Sequence, residues 1–140
     1  MRRRLLILIT TTMTVALLMG LVNVAAVSAK NGCTPGYWKQ SQHFDSWTSP
    51  YDPTDPFSGV FEDAFPGKTL LQVLWLGGGD LNALGRHTVA ALLNSASPSV
   101  DYEYSTAQVI AWFNAAFPGG DYEGLKDTFA AANEAGCTLN

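Results

Sequence analysis

Four side chains in this 140-residue chain offer the best donors for nucleophilic or metal chemistry: Cys33, His43, His87 and Cys137. Two thiolates and two imidazoles would suit a tetrahedral zinc ion. The spacing contains neither a C-x2–4-C nor an H-x3–5-H pair, so a local zinc knuckle is not expected. His87 is the candidate general base, with Asp80, Asp101 or Asp121 as orienting acid and a serine as nucleophile. No G-x-S-x-G elbow accompanies it. On a helical wheel His87 falls at the rim of its helix, so it reads as a structural histidine bonded to the N-terminal arm or to water. The adjacent Arg86 is expected to pair with Asp101 or Glu103.

Carboxylate pairs occur at Asp52/Asp55, Glu62/Asp63 and Asp101/Glu103. Glycoside hydrolysis needs two carboxyls across a cleft, and a short domain with its acids in turns offers little cleft. Asp52 and Asp55 are hard oxygen ligands of the kind calcium accepts, but the EF-hand pattern is absent and they read as solvated loop acids. Gly77-Gly78-Gly79 precedes a helix but lacks the Gly-Lys-Ser/Thr ending of a phosphate cradle, and reads as a hinge. No metal and no cofactor is expected. Tyr37, Trp38, Trp47 and Tyr51 are the candidate recognition surface, since flat rings offer contact area at low entropic cost. Trp47 and Tyr51, beside a proline-rich loop, are expected to be the most exposed of them.

The N-terminal segment sets the compartment. Arg2, Arg3 and Arg4 precede an apolar run over 5–22, and Val27-Ser28-Ala29 has the form of a cleavage box. This is the pattern of a secretory signal peptide over 1–29. An uncleaved anchor is the alternative, since the run approaches the roughly 20 residues that span a bilayer. The remaining segment, 30–140, carries five basic and twelve acidic side chains, a net charge of −7. An acidic surface without a basic stripe excludes nucleic acid as a partner and leaves membrane contact to an uncleaved leader. In an exported protein Cys33 and Cys137 are expected to pair. Closing so long a loop stabilises a fold by about 4–5 kcal/mol in the chain-entropy view.

The elements that would position these residues read as helices throughout. Cys33-Thr34-Pro35-Gly36 suits a type II turn, followed by one or two aromatic helical turns within 37–48. A proline-punctuated loop covers 49–56, and a short helix is predicted over 58–65 with Ser58 as its cap. Thr69 caps an apolar run over 70–76, expected to be a buried helix; a buried strand is the alternative. Asp80 is the expected N-cap of the longest helix, 81–96, whose apolar arc runs through Leu81, Leu84, Thr88 and Leu92. Ser105 and Gln108 form a capping box for a helix over 106–117. Asp121 caps a last helix over 122–135, and Gly136 sits where a left-handed C-cap belongs. The expectation is one small all-α domain, a single bundle of four to six short helices with its two ends joined by a disulfide.

Two stretches carry a resemblance. Cys33-Thr34-Pro35-Gly36-Tyr37-Trp38-Lys39 fits C-T-x-G-[FY]-W-K, and 81–94 fits L-N-x-L-x-R-H-x-x-A-A-L-L-N. With the tyrosine-flanked helix start at 102–109, the chain resembles an uncharacterised module of bacterial secreted and cell-surface proteins. The resemblance implies an extracellular or cell-surface protein, free or part of an assembly, and brings no catalytic residue or cofactor. The resulting expectation is a non-enzymatic interaction or structural module whose partner is a protein or carbohydrate of the cell envelope or matrix. The alternatives are a small secreted hydrolase using His87 with a nearby acid, and a metal-stabilised extracellular domain.

Overall fold

A computed structural model describes residues 28–140; the leader assigned to 1–29 lies, except for Ser28 and Ala29, outside the described residues. The described chain is all-α. Five α-helices run in order: α1 (Pro35–Trp38), α2 (Leu70–Leu74), α3 (Asp80–Ala96), α4 (Thr106–Ala116) and α5 (Tyr122–Asn133). Two 3-10 turns, Ser41–Ser46 and Phe57–Gly59, lie between α1 and α2. The described residues form no strand, only two isolated bridges, Gly32 with Gly136 and Pro56 with Thr69.

The longest helix, α3, is the axis of the bundle. α5 packs along it most extensively, and α2, α4 and α1 lie against its remaining sides. Seven consecutive residues of α3, from Thr88 to Asn94, are therefore buried, covering every face. The single apolar arc expected from the sequence is too narrow a description of a helix covered all round. Gly85 permits the approach of the 57–74 segment: a Cβ there would stand 2.5 Å from Phe65 Cζ and 3.0 Å from Val73 Cγ1.

Local signals place the other helices. Thr69 and Ser105 each accept the amide three residues on, from Gln72 and Gln108, whose side chains return the bond to the cap amide. Both helix starts are thus closed by the reciprocal capping pair that satisfies two orphan donors. Asp121 accepts from the Gly124 amide at 2.9 Å and starts α5 as expected. Gly136, with φ 113°, turns the chain after that helix toward Cys137.

Three local expectations are overturned. The 33–36 segment is not a type II turn: Pro35 opens α1, a position where its missing amide hydrogen costs nothing. Asp80 does not cap α3; it stands at φ 52°, and its amide donates to Glu123 Oε1 at 3.2 Å. The helix predicted over 58–65 is replaced by a 3-10 turn and bends. There Phe57 packs on Phe61, Phe65 and Phe113 at centroid distances of 4.8–5.3 Å, and Glu62 donates its amide to Asn114 Oδ1. Anchoring three phenylalanines in one cluster outweighs the weak helical preference of a segment holding Gly59 and ending at Pro66.

Cys33 and Cys137 form a disulfide across 104 residues of separation. Beside it, Gly32 and Gly136 pair through their backbones, and a Cβ on Gly32 would lie 2.1 Å from the Ala132 carbonyl oxygen. The N-terminal arm therefore lies directly on the end of α5. Disulfides persist in oxidising, non-cytoplasmic compartments. Among the described residues no helix is long and apolar enough to cross a membrane.

Two stability measurements follow. Replacing both cysteines with alanine should lower unfolding free energy by about 4 kcal/mol, because the open unfolded chain regains loop entropy. Urea melts of the oxidised protein and of the double variant check this. Thr88 is fully buried, and its hydroxyl has no partner among the described residues. Thr88→Val removes that desolvated hydroxyl at nearly constant shape and should raise stability by about 1 kcal/mol. An unchanged or lower melting temperature would count against it.

Candidate functional site

Two neighbourhoods hold the residues singled out by the sequence: a buried polar network, and the surface beside α1 and α2. The network begins at Asn94, which is fully buried on α3. Its Oδ1 accepts from the Cys33 amide at 2.9 Å and from the Trp38 indole at 3.1 Å. Its Nδ2 donates to the Cys33 carbonyl at 2.8 Å and to Asn133 Oδ1 at 2.9 Å. Asn133, also fully buried, accepts a second bond from the Tyr102 hydroxyl at 2.8 Å. Its Nδ2 donates to the His87 carbonyl at 3.0 Å and stands 3.3 Å from His87 Nδ1. Both asparagine side chains thus spend all their hydrogen-bonding capacity inside the domain.

His87 is half-buried, and its partner is Asn133 of α5, not the N-terminal arm. Burial holds its pKa below the usual histidine value; Glu134 opposes that shift and Arg86 reinforces it. None of the three acids considered as its orienting partner is bonded to it. Asp101 pairs with Lys30 at 2.8 Å, Asp121 caps α5, and Asp80 stands at the start of α3. Arg86 does not reach Asp101 or Glu103. Its Nη1 donates to the carbonyls of Leu76 and Gly78 at 2.8 Å each, and Asn82 donates to Gly77 at 2.9 Å. The glycine triplet is consequently clamped from α3 and is no free hinge. Burial raises the Tyr102 phenol pKa far above its usual value, so the hydroxyl keeps the proton it donates to Asn133.

The expected aromatic recognition surface divides. Trp38 is core, with no exposed area and its indole bonded to Asn94. Trp47 is half-buried, donating its indole N–H to the Trp38 carbonyl at 3.2 Å. Tyr37 stacks on His43 at 3.9 Å between centroids. Its hydroxyl lies 2.9 Å from Ser46 Oγ. Tyr51 lines a shallow groove of about 240 Å3 with Pro50, Asp55, Pro56, Gly59 and Val60. The loop acids are occupied: Asp55 accepts the Asp52 amide, and Asp52 accepts from both the amide and hydroxyl of Thr54. Those Thr54 bonds hold the Asp52 carboxyl below the usual range.

Trp75 was not expected at the surface. It follows α2 directly and is 58% exposed, the large apolar side chain left uncovered among the described residues. Lys39 Nζ lies 4.4 Å from the centre of its ring, within cation–π range. The signal was present in the spacing. Leu70, Val73 and Leu74 share the buried side of a helix of five residues, so a run that is apolar all round must leave something outward.

With both cysteines in a disulfide, no thiolate remains to bind zinc. No group of three or more histidine, cysteine, aspartate or glutamate side chains among the described residues is placed to hold a metal ion. The fold and site define a small disulfide-closed helical domain with a buried polar spine and, among the described residues, one exposed indole. No protein family, curated protein or solved structure matches this chain.

The spine predicts its own cost of removal. Asn94→Ala leaves the Cys33 amide and carbonyl and the Trp38 indole buried without partners, each costing about 1–3 kcal/mol. Stability should fall by at least about 3 kcal/mol in chemical denaturation, well beyond a typical surface substitution. A loss below about 1 kcal/mol would contradict the assignment.

Proposed function

We propose that this chain is a non-enzymatic, exported or surface-attached interaction module whose contact surface is built around Trp75 and Lys39. The observation that carries the reading is Trp75, an indole 58% exposed on a domain whose other large apolar side chains are buried or half-buried. Tryptophan is highly buried on average and is enriched at binding hot spots. The ammonium of Lys39 over its ring adds one positive charge to a strongly acidic chain. The proposed partner is a protein or carbohydrate of the cell envelope or matrix, since a flat ring flanked by a cation accepts the apolar face of either.

Three further observations support the reading. The disulfide fits an oxidising compartment. The C-T-x-G-[FY]-W-K and L-N-x-L-x-R-H stretches carry the proposed resemblance to bacterial secreted and cell-surface modules. His87 faces an amide on Nδ1, where the hydrolase alternative would want an acid.

The test compares binding of the oxidised protein and its Trp75→Ala variant to purified cell-wall polysaccharide and to solubilised envelope proteins. Trp75→Ala should weaken binding at least about tenfold, the effect of a modest hot spot, while the melting temperature stays unchanged. Binding that survives the substitution would discard this surface. Hydrolysis of an ester or peptide substrate that disappears in His87→Ala would replace the reading with the enzyme.

A further inference from the structure

The polar spine has a direction, and the direction decides where the proton of His87 sits. The Cys33 amide and the Trp38 indole are donors only, so the Asn94 atom that meets them must be the oxygen. Its amino group then points at Asn133, whose facing atom must accept and is the oxygen. The Tyr102 hydroxyl donates to that same oxygen. The Asn133 amino group is left toward the His87 carbonyl, an acceptor that fixes this orientation independently. What remains is one amino hydrogen 3.3 Å from His87 Nδ1. That nitrogen must therefore be bare, and the imidazole carries its proton on Nε2.

We infer that His87 is an acid-sensitive latch, whose protonation on Nδ1 opposes two donors and loosens the Asn133–Asn94 spine that holds the N-terminal arm. Rotating Asn133 offers no escape. Its amino group would then face the Asn94 amino group, and its oxygen would face the His87 carbonyl. The charged groups around the ring are Arg86 on α3 with Lys126, Asp127 and Glu134 on α5. Two cations and two carboxylates leave no net charge to hold an imidazolium in place. The hydrogen bond from Asn133 and the burial of the ring then both favour the neutral form.

The sign of the pH effect follows. The folded pKa of His87 lies below the unfolded value of about 6.5. Between the two, the unfolded chain binds the proton and the folded one does not. The contribution of His87 to stability is therefore complete above about pH 6.5, falls as acid is added, and levels off below the folded pKa. The consequence reaches beyond the ring, because the same chain of bonds ends on the Cys33 backbone and the Trp38 indole. Acidification should loosen the arm's polar anchorage while the disulfide keeps it tethered.

Nuclear magnetic resonance of the oxidised, isotope-labelled protein tests this between about pH 8 and pH 5, the range over which histidine titrates. The His87 ring nitrogens should report the Nε2–H form at high pH and a midpoint below that of free histidine. The Trp38 indole N–H should shift with the same midpoint, and that shift should vanish in His87→Gln. A proton on Nδ1 at high pH, or a midpoint at or above the free value, would overturn the latch. So would a Trp38 signal that stays fixed while His87 titrates. Because wild type alone yields all three readings, a variant that folds poorly does not blunt the test.

Discussion

The side-chain amide of Asn94 is the constraint on which the rest of the structure depends. A buried amide is tolerated only when its donors and acceptor are matched, since each unmatched group costs the full price of desolvation. Asn94 meets that condition by drawing four partners from three parts of the chain: the Cys33 backbone, the Trp38 indole and Asn133. Apolar packing is non-directional and by itself would allow α1 more than one position along α3. Directed bonds to a single amide do not allow it, so they fix where the arm sits. The disulfide acts on a different quantity. It limits the freedom of the unfolded chain, while Asn94 selects one arrangement of the folded one.

This division assigns roles to the two motif-like stretches. In the first, Cys33 bonds to Cys137, Pro35 opens α1, Trp38 fills the core and Lys39 covers Trp75. In the second, Asn82 and Arg86 clamp the glycine triplet, His87 meets Asn133, and Asn94 receives the first stretch. The polar residues of both stretches are thus spent mainly on holding the domain together. Most residues that look chemical in the sequence are structural here, and the exposed indole, Trp75, lies outside both patterns.

The starts of α2, α4 and α5 are legible in the sequence because the reason is local. Thr69, Ser105 and Asp121 each cap their helix because a side-chain oxygen and an amide two or three residues away suffice to make the bond. The 58–65 segment was misread because Phe57, Phe61 and Phe113 come together only in three dimensions, and their packing overrides local propensity. Asp80 likewise departs from the cap its local sequence suggests, and its amide donates instead to the Glu123 carboxylate of α5, a partner set by tertiary structure.

The sequence by itself determined the all-α character, the central position of the longest helix and the pairing of Cys33 with Cys137. Periodicity, caps and an even cysteine count are short-range or compositional signals that need no knowledge of neighbours. It also named Arg86, His87 and the aromatic arm as residues to watch. Only the tertiary structure decided what they do. Arg86 turned to carbonyls and away from acids, Trp38 went to the core, and Trp75 came to the surface. Asn94 and Asn133 gave no sign of their importance in the chain, because an asparagine's value depends on which donors and acceptors surround it. Those partners lie 31 to 61 residues from the asparagine they bond, brought together by folding alone.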